Sequence, residues 1–114
     1  MAGMTKKNFD QPDELMKPAE KIRTAMVAFG DTKLYRFTGQ PGWQWSKDLK
    51  PIIKADSCPM DHLLYIISGG VRVKMDDGEE TDFTAGDIAH IAPGHDGWSL
   101  GDEPTVWIEI PHKD

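Results

Sequence analysis

Residues 56–75 read Asp-Ser-Cys-Pro-Met-Asp-His-Leu-Leu-Tyr-Ile-Ile-Ser-Gly-Gly-Val-Arg-Val-Lys-Met. From His62 to Ser68 the run is rich in apolar, β-branched and aromatic side chains, which suit a pleated strand. Gly69-Gly70 interrupts it. A second run then alternates strictly, with Val71, Val73 and Met75 on one face and Arg72 and Lys74 on the other. Such alternation predicts a sheet with one dry face and one wet face. Asp77-Gly78, between Met75 and Thr81, supplies residues that tolerate positive φ and so predicts a hairpin.

The same texture extends in both directions. Further strands are predicted over Arg23–Phe29, Lys33–Thr38, Trp43–Ser46, Glu80–Phe83, Asp87–Ile91, Gly97–Leu100 and Val106–Ile110, separated by Gly-, Pro- and Asp-rich turns. On the last of these, Val106, Ile108 and Ile110 share a face opposite Trp107 and Glu109. A Trp on the outer side of a terminal strand needs a cover, either the N-terminal arm or a second subunit. Trp43 and Trp45 also share a face, and four Trp in 114 residues suggest that some sit at a subunit interface. Residues 1–20 are polar, carry Pro12 and Pro18, and read as an arm with one short helical turn around Asp13–Met16. The domain proper is expected over 21–114. No segment beyond the arm sustains a helical period, so the fold class is all-β, a sandwich or barrel.

Composition narrows the partners. The net charge of −6 disfavours nucleic acid and anionic membranes. The single cysteine, Cys58, excludes an intrachain disulfide and fits a reducing compartment. The start of the chain lacks an apolar signal-peptide core, and the longest apolar run, Leu63 to Ile67, is too short to span a bilayer. A cytoplasmic protein is expected.

The chemistry gathers around residues 56–62. Asp56, Cys58 and His62 share strand parity, which would put a carboxylate, a thiol and an imidazole on one face. Four residues of straight strand separate Cys58 from His62 by about 13 Å. That is too far for a hydrogen bond or a shared metal, unless the chain kinks at Pro59, which interrupts a ladder because it has no N–H. Serine hydrolysis is poorly supported, since Ser57, Ser68 and Ser99 lack a nucleophile elbow. His90 reads as a strand histidine facing its neighbours, Asp96 as a turn residue or a partner for His95, and His112 as solvated.

Tyr65-Ile-Ile-Ser-Gly69-Gly-Val-Arg-Val, Asp76-Asp-Gly, Gly86-Asp-Ile and Pro93-Gly94 together resemble the cupin superfamily. That resemblance implies a single-domain double-stranded β-helix, or jelly-roll, barrel carrying a polar N-terminal arm. With the closing glycine of the family's first motif at Gly69, its glutamate falls on His62, its two histidines on Asp56 and Cys58, and its opening glycine on Lys50. With Gly86 and Gly94 anchoring the second motif, its histidine falls on Gly97 and its asparagine on Gly101. Three of the scaffold glycines, Gly69, Gly86 and Gly94, match, and none of the usual ligand positions keeps its usual residue. A narrower likeness is carried by Pro41-Gly-Trp-Gln-Trp, Cys58-x3-His62 and Pro93-Gly-His-Asp-Gly-Trp98. It points to a subgroup of cupins found alone or attached to nucleotide-cyclase-like proteins.

The resemblance implies ligands inside the barrel near one mouth. His95 lies two residues before the usual second-motif histidine, with the same parity. Cys58, His62 and His95, with Asp56, form a candidate site for one divalent metal: zinc, iron or nickel. Met60, Leu64 and Trp98 are candidates to line the pocket. The alternative is a degenerate site in which Cys58 is a small buried hydrophobe and His62 a hydrogen-bonded core histidine. The expected function is a homodimeric, non-catalytic or regulatory cupin that binds a small molecule, with or without a metal. The alternative is a metal-dependent dioxygenase, isomerase or lyase acting on a small acid or sugar.

Overall fold

The computed structural model describes residues 3–111. His112 lies outside them. The strands are β1 (Glu14–Ala19), β2 (Ile22–Phe29), β3 (Thr32–Gly39), β4 (His62–Ser68), β5 (Gly70–Met75), β6 (Glu80–Thr84), β7 (Ile88–Ile91), β8 (His95–Ser99) and β9 (Thr105–Glu109). Two one-turn helices, α1 (Trp45–Asp48) and α2 (Lys50–Ile53), lie between β3 and β4. One sheet has the order β1-β2-β3-β9-β4-β7 and the other β6-β5-β8, with every pairing antiparallel. The last strand, β9, threads between β3 and β4, so the two halves of the large sheet meet on it.

The crossing from the large sheet to the small one occurs at Gly69, between β4 and β5. Gly69 has φ 72°, and a Cβ there would stand 2.6 Å from the Pro104 carbonyl oxygen and 2.7 Å from Thr105 Cα. Only glycine suits both the positive φ and the close approach. The fully buried Thr105 closes the corner: its hydroxyl donates to the Gly70 carbonyl (2.7 Å). Between the sheets lies a core that includes Ile22, Trp43, Trp45, Leu64, Ile66, Val71, Val73, Ile91 and Trp107. Each large apolar side chain buried there contributes about 1.5–3 kcal/mol.

Four sequence expectations change. Asp13–Met16 forms no helical turn: Glu14–Ala19 is an edge strand paired with β2, its register shifting between Met16 and Ala19. Pro18 sits inside that irregular stretch, where a missing N–H is tolerated. Trp43–Ser46 is not a strand. Gln44 makes a lone bridge to Trp98, and Trp45 opens α1 because Asp48 accepts the Gln44 N–H (2.9 Å) and Asp96 accepts the Ser46 N–H (3.0 Å). Trp43 and Trp45 are core residues, so neither supports a subunit interface. The faces of β9 are also reversed. Trp107 points inward, stacked on Phe37 (centroids 5.2 Å apart, planes 3° apart) and tilted against Trp43 (5.7 Å). It needs no outside cover.

Ahead of β1, the arm packs on the outer side of β2–β3. Arg36 lies over the Phe9 ring and pairs with Asp10, while Lys7 pairs with Asp13 (2.7 Å). Among the described residues no helix is long and apolar enough to cross a membrane.

Candidate metal centre

Cys58 reaches the site through a kink. Residues 59–61 carry no strand structure, and Cys58 forms an isolated bridge to His95. Its N–H donates to the His95 carbonyl (2.7 Å) and its carbonyl accepts the Gly94 N–H (2.8 Å). Cys58 is thereby fastened to the start of β8, while His62 opens β4 on the other sheet. The Cys58 Sγ to His62 Nε2 distance is 3.6 Å, against the roughly 13 Å of a straight strand. The thiol and the imidazole therefore meet across the cavity between the sheets.

Three donor atoms, from Cys58, His62 and His95, lie within 4.8 Å of one another. The two imidazole rings meet edge-on with centroids 5.2 Å apart. Each has one nitrogen already engaged. His95 Nδ1 donates to the Ala92 carbonyl (2.8 Å), and His62 Nδ1 donates to Glu109 Oε1 (2.8 Å). A carbonyl or carboxylate only accepts, so both Nδ1 atoms carry protons and both Nε2 atoms are left for a ligand. Metal-bound histidines are oriented in this manner. The spacing also fits a metal, because tetrahedral zinc with ordinary Zn–S and Zn–N bonds holds S and N about 3.6 Å apart.

The electrostatics support a thiolate. Burial acts to raise the Cys58 pKa, but hydrogen bonds from His62 and His95 outweigh it and bring it from 9.0 to about 6. Burial acts to lower that of His62, yet its bonds to Cys58 and Glu109 raise it from 6.5 to about 9. Without metal the two form a thiolate–imidazolium pair at neutral pH. Cys58 is only 5% exposed, which argues against it as a nucleophile for bulky substrates.

The other sequence candidates separate. Asp56 is exposed and outside the donor cluster. Met60 is exposed, and Leu64 is a core residue on the same face of β4 as His62. Trp98 has the outward parity of β8, opposite that of His95 and Gly97, and pairs with Arg72. Asp96 does not orient His95. It faces outward and holds Gln44, Ser46 and the Gly97 N–H. His90 lies on the outer face of β7 and pairs with Asp61 (2.8 Å). Glu109 was missed because aliphatic alternation on β9 pointed the other way. The available signal was Trp107-x-Glu109, since a buried indole N–H needs an acceptor and a residue two places along shares its face.

Residues 55–106 match the family model of the EutQ-like cupin domain. The fold agrees: the Cupin_2 domain of an XRE family transcriptional regulator from Enterobacter cloacae superposes with a TM-score of 0.59 at 15% identity, covering 83% of this chain and 99% of that one. The chain is thus similar to the cupin superfamily over residues 55–106 and has its double-stranded β-helix fold. KdgF from Halomonas sp. has the same cupin fold (TM-score 0.62, 18% identity, 99% and 97% coverage). So does a double-stranded β-helix protein from Klebsiella pneumoniae (TM-score 0.57, 23% identity, 80% and 76% coverage). Comparison with curated proteins gives no match. In this chain a carboxylate, Glu109, stands behind the His62 imidazole.

Proposed function

We propose that this cupin binds one divalent metal through Cys58, His62 and His95 and a small molecule beside it, in a non-catalytic or regulatory role. The observation that carries the reading is the convergence of three donors whose two imidazoles each have Nδ1 tied to an acceptor. Zinc, ferrous iron and nickel all suit such a set. Elemental analysis of protein purified without a His-tag tests it. One metal per chain is expected, lost in Cys58→Ala and His62→Ala. Substoichiometric metal that neither substitution changes would sink the reading.

A cavity of about 210 Å³ supports the small-molecule part. Val73, Met75, Phe83 and Ile91 give it apolar walls, with Thr81 and Glu79 among its polar groups. It adjoins the donor set: Met75 faces His95 across β5–β8, Ile91 faces His62 across β4–β7, and Ala92 holds His95. No Lys or Arg is among the lining residues. Its ionisable lining groups are Glu79 and His90, the latter paired with Asp61, so the ligand that fits is small and largely apolar, with one metal-binding atom.

The enzyme reading draws on one observation. Asp56 is absent from the cluster, so three protein donors would leave a tetrahedral metal one open position, as in catalytic sites. Screening metal-loaded protein against small acids and sugars separates the readings: turnover abolished by His95→Ala would replace the binder with an enzyme. The free thiol at Cys58 supports a reducing, cytoplasmic setting. A homodimer is part of the same proposal, supported by Tyr65, Ile67 and Ile88, exposed on the outer face of neighbouring strands β4 and β7, where a two-fold axis would set the patch against itself.

A further inference from the structure

Glu109 lies outside the three-donor cluster, yet it touches the group that would hold the metal. It sits on β9 opposite Leu64 of β4, which makes His62 its diagonal neighbour on the inner face. Its side chain is 17% exposed and that of His62 is 18% exposed, so their 2.8 Å contact is largely shielded from water. The same oxygen, Oε1, also accepts the indole N–H of Trp107 (3.2 Å). Two donors therefore fix one carboxylate oxygen. Trp107 is itself held between Phe37 and Trp43 in the core.

We propose that Glu109 is the positioning residue of the metal centre: held by the Trp107 indole, it keeps the His62 proton on Nδ1 and aims Nε2 at the metal. This inference rests on the metal reading above. The physical reason is tautomer selection. A neutral imidazole has one N–H, and the nitrogen that donates it cannot ligate. A buried carboxylate beside Nδ1 makes the Nε2-ligating form the stable one and increases the basicity of that nitrogen. His95 has only the neutral Ala92 carbonyl in the equivalent place, so the two histidines are unequal ligands. His62 is the stronger donor of the two.

The test uses zinc alone as the probe. Affinity is measured by competition with a chromophoric chelator for wild type, Glu109→Gln, Glu109→Leu and Trp107→Phe, each checked for an intact fold by circular dichroism. Carboxylates that orient ligating histidines are worth about 10–100-fold in metal affinity, so Glu109→Leu is expected to weaken zinc by that factor. Glu109→Gln retains an acceptor and is expected to lose less, and Trp107→Phe less again. Nitrogen-15 correlation spectra of the zinc-bound protein are expected to show His62 protonated on Nδ1 in wild type and Glu109→Gln. In Glu109→Leu the ring should sample the other tautomer. Zinc binding within twofold of wild type in Glu109→Leu, with an unchanged His62 tautomer, would overturn the assignment. A wild type that binds no zinc overturns the metal reading instead. Glu109 is then judged on the His62 ring-nitrogen shifts of the metal-free protein: a shift in Glu109→Leu supports its hold on His62, and no change overturns it.

Discussion

Strands β5 and β9 obey the same alternation rule and reach opposite outcomes. In β5 the aliphatic residues Val71 and Val73 are buried, while Arg72 faces outward and pairs with Asp82 (2.6 Å). In β9 the aliphatic residues Val106 and Ile108 take the outer face, and Thr105, Trp107 and Glu109 take the inner one. A period of two identifies the faces of a strand but not which of them is inside. On β9 that choice follows from its neighbours. The strand lies between β3 and β4, where Trp107 fills the space beside Phe37 and Trp43 and Glu109 meets His62.

The largest effect should come from emptying the inner face of β9. Trp107→Ala is expected to destabilise the fold by about 3–5 kcal/mol. Ile108→Ala, on the outer face, should be much milder. Denaturant midpoints of the two variants check this, and equal losses would erase the distinction drawn between the faces.

The next effect is on the thiol that the inner face supports. Absorbance at 240 nm should report a Cys58 thiolate forming near pH 6 in metal-free protein. In His62→Gln burial is opposed more weakly, so the midpoint should move sharply upward. Stability would be a poor readout of the pair. Cys58, lowered from 9.0 to about 6, adds stability as pH rises between those values. His62, raised from 6.5 to about 9, loses it over nearly the same interval. The two slopes oppose, and the pair leaves stability nearly flat there. Zinc binding exposes the balance. At pH 7.5 the thiolate is already formed and the His62 proton must leave, so calorimetry in buffers of different ionisation enthalpy should count about one proton released.

Smaller effects concern the outer faces. If a second copy covers β4 and β7, Ile88→Lys should shift sedimentation from dimer to monomer at micromolar concentration without changing metal content. A monomeric wild type would remove the dimer proposal. Arg72→Ala is expected to leave the unfolding midpoint almost unchanged, because the Arg72–Asp82 pair lies in solvent.

Much of the barrel was legible. β4 was read over its full extent, His62–Ser68, because its apolar run is bounded by Gly69. β8 begins at His95, two residues before the predicted start. His95, Asp96 and Gly97 look like turn residues until the Cys58 backbone pairs with them. β1 was missed because Pro18 and the polar residues around it resemble a flexible arm, and an edge strand tolerates both. Cys58 and His62 could be named as partners, but their 3.6 Å approach depends on the break at Pro59 and on two sheets facing each other.

The sequence by itself determined which segments extend, where they turn, and that a thiol and an imidazole, Cys58 and His62, stand four residues apart along the chain. Those properties are local: side-chain alternation, glycine at positive φ and a proline that cannot donate. Only the tertiary structure decided that Cys58, His62, His95 and Glu109 form one centre. They come from a bridge and three strands in two sheets, and their meeting depends on strand order and on which face of β9 turns inward. Neither is set by neighbours in sequence. Both follow from packing large side chains such as Trp107 without leaving a void.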